Sequence, residues 1–138
     1  MYTYRCVVRR IVDGDTVDVD IDLGFDTWIK NQRIRLYDVD APETYTSDKV
    51  EEHFGEITHS FVSSLLHVGE SYKLYSREYH PEKYGRILGD FEVYVNDSWT
   101  TLTKFLGDER LAVKYDDTNG GKERMERNHL ENRRILIE

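Results

Sequence analysis

A seven-residue run in which apolar and acidic residues alternate is the feature that most restricts the fold of this chain. The run is Val17-Asp18-Val19-Asp20-Ile21-Asp22-Leu23. In an extended strand every second side chain lies on the same face, whereas a helix repeats only about every 3.6 residues. The alternation therefore predicts a β-strand over residues 15–23, with its apolar face in a core and its aspartates facing water.

These aspartates have an alternative interpretation as a calcium-binding loop of the EF-hand type. Counted from Asp18, the sixth position of such a loop would be Leu23, where the motif needs glycine. The twelfth would be Ile29, where the motif needs glutamate. We therefore interpret the aspartates as a solvated strand face, whose charges also discourage pairing with the edge of another sheet.

Asp15 differs from the other aspartates of this region. It shares the parity of Val17 and Val19, so its carboxylate is predicted to point towards the packed side of the strand. A carboxylate there needs a cation, a metal or hydrogen-bond donors, because burying a lone charge is unfavourable. Gly14 before it permits a tight turn, and Asp15 could instead cap that turn. The segment by itself leaves both roles open.

Strand patterns on both sides of this run predict a small β-barrel. Further strands are predicted over residues 3–12, 28–37, 72–75 and 87–95. Residues 24–26 are a turn signal, and the charged segment 77–86 is predicted to be a loop. Short strands separated by turns favour a meander that closes on itself.

Three helices are predicted from apolar spacing and capping residues. The apolar residues of the first are Phe54, Ile57, Phe61, Leu65 and Val68, and Gly69 ends it. A short second helix starts at the capping residues 96–98, and its apolar face comprises Trp99, Leu102 and Leu106. A third is predicted over residues 122–134, and residues 135–137 either extend it or form a strand.

The composition is that of one domain, predicted to span residues 1–138, and a single cysteine excludes an internal disulfide bond. No apolar stretch approaches the ~20 residues that span a bilayer, so no membrane partner is expected. Residues 1–5 lack the apolar core of a secretory signal, which favours a cytoplasmic protein. The net charge of −8 argues against a protein that binds nucleic acid by charge alone. Six aspartates within residues 13–26 account for most of that charge.

Three short segments combine opposite charges with glycine or proline. They are Asp13-Gly14-Asp15-Thr16, Arg35-Leu36-Tyr37-Asp38-Val39-Asp40-Ala41-Pro42-Glu43 and Lys83-Tyr84-Gly85-Arg86. Each is weakly specific alone, since Arg35 and Asp40 could form an ordinary surface ion pair. Their order around five predicted strands, with a helix inserted after the third, is much more specific.

Together these segments resemble the staphylococcal nuclease family, also called thermonuclease or micrococcal nuclease-like domains, over about residues 5–115. The resemblance implies an OB-fold, mainly β with helices: a five-stranded β-barrel with about three α-helices. It also implies hydrolysis of phosphodiester bonds in DNA and RNA with a bound calcium ion, which leaves 3′-phosphate ends. A compact nuclease of this kind would suit a bacteriophage or a mobile element.

The resemblance implies a calcium site formed by Asp15, Asp40 and the backbone carbonyl of Ala41. The type member has threonine where this chain has Ala41, a change that a carbonyl ligand tolerates. Calcium is a hard cation that prefers oxygen ligands, so these groups suit it and no cysteine or histidine is required.

The resemblance also implies the groups that act on the substrate. Glu43 resembles the glutamate usually assigned as general base, and Arg35 and Arg86 resemble the two arginines that bind the scissile phosphate. Tyr84 and Tyr115 match tyrosines beside the substrate. Three carboxylates and two arginines give this site a charge of −1, which a calcium ion changes to +1. We therefore expect cleavage to depend on the metal.

Two other classes of function compete with the nuclease. Some domains of this family have lost the catalytic residues and serve as non-catalytic modules that bind nucleic acid or protein. Here the expected carboxylates and both arginines are present, which favours the enzyme. A calcium-binding interaction domain would leave Arg35 and Arg86 unexplained. DNA, RNA or both are therefore the expected partners.

Overall fold

The structure, a computed structural model, describes residues 2–80 and 86–137. Within these ranges the elements are β1 (Thr3–Asp13), β2 (Thr16–Asp22), β3 (Trp28–Leu36), β4 (Val39–Asp40), α1 (Lys49–Leu65), β5 (Ser71–His80), β6 (Arg86–Val95), β7 (Ser98–Thr101), α2 (Leu102–Asp108), β8 (Val113–Lys114) and α3 (Gly121–Ile137). Among the described residues, no helix combines the length and the apolar character needed to cross a membrane.

Five strands close into a barrel in the order β3-β2-β1-β5-β6. The closing contact is parallel and joins residues 33–36 of β3 to residues 86–89 of β6. Closure removes the open edges that a flat sheet would expose. The predicted mainly β architecture, an OB-fold-like barrel with three helices, is confirmed. β7 extends β6 as a hairpin, and β4 pairs with β8 outside the barrel.

The inward-facing residues of these strands form the core. Among those with no more than 2% of their surface exposed are Val8, Val17, Val19, Ile34, Leu36, Leu74, Phe91 and Val93. Burying one such side chain contributes roughly 1.5–3 kcal/mol. The apolar side chains of β2 therefore point into the core, as the sequence predicts. The packed core holds the strands, and so the loops at the ends of the barrel, in place.

Asp20 corrects the prediction of a solvated aspartate face, because only 2% of its surface is exposed. A register shift interrupts the β2–β3 pairing at this residue. The carboxylate accepts hydrogen bonds from Arg9 Nε at 2.5 Å and from the Asn31 amide at 2.9 Å, with Lys30 Nζ at 3.5 Å. Asp20 is therefore a buried structural carboxylate with its own donors.

Helix α1 supports two chain segments at one end of the barrel. It buries Phe54, Thr58 and Val62, whereas Phe61 is exposed and Val68 lies beyond the helix, so the predicted apolar stripe was partly wrong. Gly14 packs so closely against Thr58 that a Cβ at position 14 would collide with the Thr58 side chain. Gly55 likewise has no room for a Cβ, because the backbone carbonyl of Glu43 touches it. The β1–β2 turn and the segment after β4 both rest directly on α1.

The predicted start of the second helix was wrong. Asn96 and Asp97 have positive φ angles and form the β6–β7 turn, and Trp99 is an exposed strand residue. Asparagine and aspartate suit both helix caps and turns with positive φ, so the sequence permits either. Residues 77–80, predicted as loop, continue β5, and residues 135–137 extend α3.

Candidate active site

The predicted site residues of the first two charged segments meet where the β1–β2 turn, the end of β3 and β4 come together. Antiparallel pairing sets Thr16 opposite Arg35, which brings Asp15 beside the end of β3. The Leu36 amide donates to the Asp15 carbonyl at 2.8 Å and fixes this approach. Two residues separate β3 from β4, and β4 carries Asp40. The barrel register thus brings together residues that are 25 positions apart in the sequence.

The Arg35 guanidinium bridges the two predicted metal-binding carboxylates. Its Nη1 lies 3.3 Å from Asp15 Oδ2, and its Nη2 lies 3.3 Å from Asp40 Oδ1. Nη1 also donates to the Val39 carbonyl at 2.8 Å. Arg35 is largely buried. Both carboxylates are therefore directed at one positive group, and they exceed its charge by one.

Asp15 lies on the packed side of the chain, with 8% of its surface exposed. Its Oδ2 accepts a hydrogen bond from the Ala41 amide at 2.9 Å, and its Oδ1 accepts one from Thr16 Oγ1 at 3.0 Å. Burial raises the pKa of Asp15, while Arg35 and the Ala41 amide oppose that shift. The sequence left open whether Asp15 points into the packed side or caps the turn. The structure shows the first: the carboxylate is buried and accepts hydrogen bonds from Thr16 and the Ala41 amide.

The segment that carries Glu43 is held on both sides. The Thr44 amide and hydroxyl both donate to Asp13 Oδ1, the amide at 3.3 Å. On the other side Gly55 of α1 touches the Glu43 backbone. These contacts fix the backbone of Glu43 while its side chain remains exposed to solvent.

The environment of Glu43 favours a carboxylate that accepts a proton readily. Partial loss of hydration raises the pKa of Glu43, and the nearby carboxylates add to the effect. Those carboxylates belong to Glu51, Asp13, Asp40 and Asp15. A general base is most effective when its pKa is raised towards the working pH. Glu43 is therefore fitted for the role that the sequence resemblance implies.

Tyr115 follows β8 and lies beside Arg35. Its amide donates to the Asp38 carbonyl at 2.9 Å, and the centre of its ring is 5.8 Å from Arg35 Cζ. Such a cation–π contact contributes about 0.5–2 kcal/mol. The β4–β8 pairing thus brings the predicted tyrosine to the edge of the site, where its ring is partly exposed.

The third charged segment is only partly described. Arg86 begins β6, and its backbone pairs with Arg33, two residues before Arg35 on the neighbouring strand. The backbone therefore brings Arg86 to the same part of the barrel as Arg35. Tyr84 lies outside the described residues.

His129 is a site residue that the sequence reasoning missed. From α3 its Nε2 lies 2.8 Å from Asp40 Oδ2, and only 13% of its side chain is exposed. Three residues later the buried Asn132 donates to the Ala112 carbonyl at 3.3 Å. The inward face of α3 is thus polar at this point, and a search for apolar spacing could not detect it. A histidine and an asparagine at helical spacing, on a helix with a weak apolar stripe, were the available signal.

The donor chemistry of the site fits a hard divalent cation. In residues 2–80 and 86–137, no group of three or more histidine, cysteine, aspartate or glutamate side chains is placed to hold a metal. The predicted calcium site needs only two carboxylates and a carbonyl, all of them oxygen donors. The two carboxylates already converge on the guanidinium of Arg35. The residues present therefore fit calcium by donor type and charge.

Comparison with known proteins points to one family. The sequence profile of the staphylococcal nuclease homologues matches residues 33–134. The chain is 34% identical over 108 residues to the protein named Thermonuclease from Staphylococcus intermedius, which covers 78% of this chain and 52% of that protein. It is 30% identical over 91 residues to Endonuclease YhcR of Bacillus subtilis (strain 168), covering 62% of this chain and 7% of that protein. The chain thus spans about half of the first relative and a small part of the second.

Proposed function

Because the chain belongs to the staphylococcal nuclease homologue family, we propose that it is a calcium-dependent nuclease that hydrolyses phosphodiester bonds of DNA, RNA or both. The observation that carries this proposal is the convergence of Asp15 and Asp40 on Arg35, beside Tyr115. A module that only binds nucleic acid has no need of two carboxylates at a phosphate site, since they repel the substrate.

Arg35 and Arg86 bind the scissile phosphate in this proposal. A guanidinium group donates two parallel hydrogen bonds to phosphate oxygens and stabilises the charge that grows on them during the reaction. Arg35 is held by the Val39 carbonyl, so its fork is oriented before the substrate arrives. Tyr115 packs against that guanidinium and adds an aromatic surface next to the phosphate.

Asp15, Asp40 and the carbonyl of Ala41 would hold the calcium ion. When bound, the ion supplies positive charge that polarises a phosphoryl oxygen. The chain contributes the orientation of these ligands, because the Ala41 amide fixes Asp15 and the same peptide segment carries Asp40. It also contributes the surplus of negative charge that makes a divalent cation favourable there.

Glu43 acts as the general base. It accepts a proton from the attacking water as the water oxygen forms a bond to phosphorus. The bond between phosphorus and the 5′-oxygen breaks, the 5′-oxygen takes up a proton from solvent water, and a 3′-phosphate remains. Partial loss of hydration and the nearby carboxylates raise the pKa of Glu43, a change in the direction that favours a general base.

Cleavage assays with a matched pair of variants test the proposal. Purified protein is incubated with single-stranded DNA or RNA in calcium, magnesium or chelator. We expect cleavage with calcium, none with chelator, and a loss of about 10²–10⁴-fold in Glu43→Gln, as is typical for removal of a general base. Glu56→Gln is the control, because Glu56 is an exposed carboxylate on the outer side of α1. Binding without cleavage under every metal condition would identify a non-catalytic module and overturn the proposal.

A further inference from the structure

Asp40 is held at both of its carboxylate oxygens by partners from different parts of the chain. Arg35 Nη2 lies 3.3 Å from Oδ1, and His129 Nε2 lies 2.8 Å from Oδ2. Rotation about the last side-chain bond of an aspartate is only weakly restricted by its own geometry. A partner on each oxygen therefore determines the plane in which the carboxylate of Asp40 lies.

His129 is itself held in a fixed position. Its helix is anchored by the hydrogen bond from Asn132 to the Ala112 carbonyl and by Arg133, whose guanidinium lies 5.7 Å from the centre of the Phe54 ring. A carboxylate oxygen only accepts hydrogen bonds when ionised, so Nε2 is the donor in this contact. The imidazole is thus a rigid donor aimed at one oxygen of Asp40.

We infer that His129 is a positioning residue of the active site, which orients Asp40 through a hydrogen bond and makes α3 part of the metal site. The inference rests on the proposed function, since it takes Asp40 to be a metal ligand. Residues that orient metal ligands through hydrogen bonds are worth about 10–100-fold in metal affinity. His129 itself binds neither metal nor substrate in this proposal, because its Nε2 is directed at Asp40.

Calcium affinity measured by calorimetry in three variants tests the role without relying on catalysis. His129→Leu removes the donor, and we expect its calcium affinity to fall about 10–100-fold. His129→Gln retains an N–H at the position of Nε2, and we expect most of the affinity to return. Asn132→Ala removes one of the two anchors of α3 without touching Asp40, so it should lower the melting temperature and reduce calcium affinity by less than His129→Leu does.

The outcomes separate this inference from the proposed function. Equal calcium affinity in His129→Leu and the wild type, with cleavage intact, would overturn only the role of His129. An equal loss of calcium affinity in Asn132→Ala and His129→Leu would show that only the docking of α3 matters. That result would also overturn the positioning role of His129. A wild-type protein that neither binds calcium nor cleaves nucleic acid would overturn both proposals.

A measurement on the wild-type protein covers the case in which His129→Leu fails to fold. Calcium is titrated into protein labelled with ¹⁵N in its histidine rings. We expect the ring signal of His129 to shift on calcium binding while that of His53, which is exposed on α1, stays in place. Calcium binding without any change at His129 would contradict the inference.

Discussion

Asp15 and Asp20 are both buried aspartates, five residues apart in the chain, yet the net charge around them has opposite signs. Asp20 has the two cations Arg9 and Lys30 to itself, together with the amide of Asn31. Burial acts to raise the pKa of Asp20, but these donors bring it below its usual value. Asp15 shares a single guanidinium with Asp40, and burial leaves its pKa raised.

The difference distinguishes a structural carboxylate, Asp20, from a candidate functional one, Asp15. Around Asp20 the positive charges exceed the negative ones, so its ionised form stabilises the fold. Around Asp15 and Asp40 the negative charges exceed the positive ones. The two ionised carboxylates repel each other, and this repulsion lowers the free energy of unfolding. Sites with this kind of imbalance are candidates for function, because a missing cation or substrate can complete them.

Asp15→Asn should impair cleavage but not stability, whereas Asp20→Asn should impair stability but not cleavage. The loss of cleavage in Asp15→Asn is the largest effect that we expect. Asp15→Asn removes a proposed metal ligand, so it should lower cleavage by more than the ~100-fold associated with loss of a hydrogen-bonding partner of a ligand. Without metal its free energy of unfolding should equal or exceed that of the wild type. Asp20→Asn should keep cleavage and lower the free energy of unfolding by about 1–3 kcal/mol, because Arg9 and Lys30 lose the charged oxygen that accepts from them, while one amide oxygen remains for Asn31. Denaturant unfolding and cleavage rates of both variants check this, and a destabilised Asp15→Asn would contradict the comparison.

Cleavage should depend on the backbone packing beneath the site as strongly as on the charged side chains of the site. Gly55→Ala places a Cβ against the Glu43 carbonyl, so the segment after β4 must move. A displacement of about 1 Å can reduce catalysis up to about 100-fold. Gly107→Ala is the control, because that glycine also lies in a helix and has open space around it. It should retain cleavage and gain up to about 1 kcal/mol in stability. Equal activity of the two variants would disprove the role of the close contact.

Acid should remove the stability that Asp20 provides, and this is the smallest effect of the three. The pKa of Asp20 is lowered in the folded protein, so the unfolded chain binds its proton first as the pH falls. The contribution is present above the unfolded value of about 3.9 and is lost as the pH falls through the folded pKa. Unfolding of the wild type and Asp20→Asn is compared between pH 6 and pH 2.5, roughly spanning that range. The difference in free energy of unfolding between the two proteins should narrow in acid, and a constant difference would show that folding does not lower the pKa of Asp20.

Local patterns predicted the elements that depend on neighbouring residues. The alternation of β2 identified a strand and its buried face, and the resemblance of the charged segments to the staphylococcal nuclease family implied one site for Asp15, Arg35 and Asp40. Asp20 was misplaced because Arg9 and a register shift, which depend on pairing between strands, make its burial possible. Trp99 was misplaced because Asn96 and Asp97 suit a turn as well as a helix cap.

His129 was missed for a related reason. Its partner Asp40 is 89 residues away in sequence, and α3 meets the barrel with a polar face. Apolar spacing predicts which side of a helix packs only when the contact is apolar. Similarly, nothing near Gly55 in sequence indicates that the backbone of Glu43 lies against it.

The contact between Asp40 and His129 also bears on the order in which the molecule assembles. Closing a chain segment of that length has an entropic cost that grows with its length, and contacts distant in sequence generally form late in folding. We therefore expect the barrel to form before α3 docks. A refolding chain would then acquire its strands first and a correctly oriented Asp40 last, so the proposed nuclease activity would be among the final properties to appear.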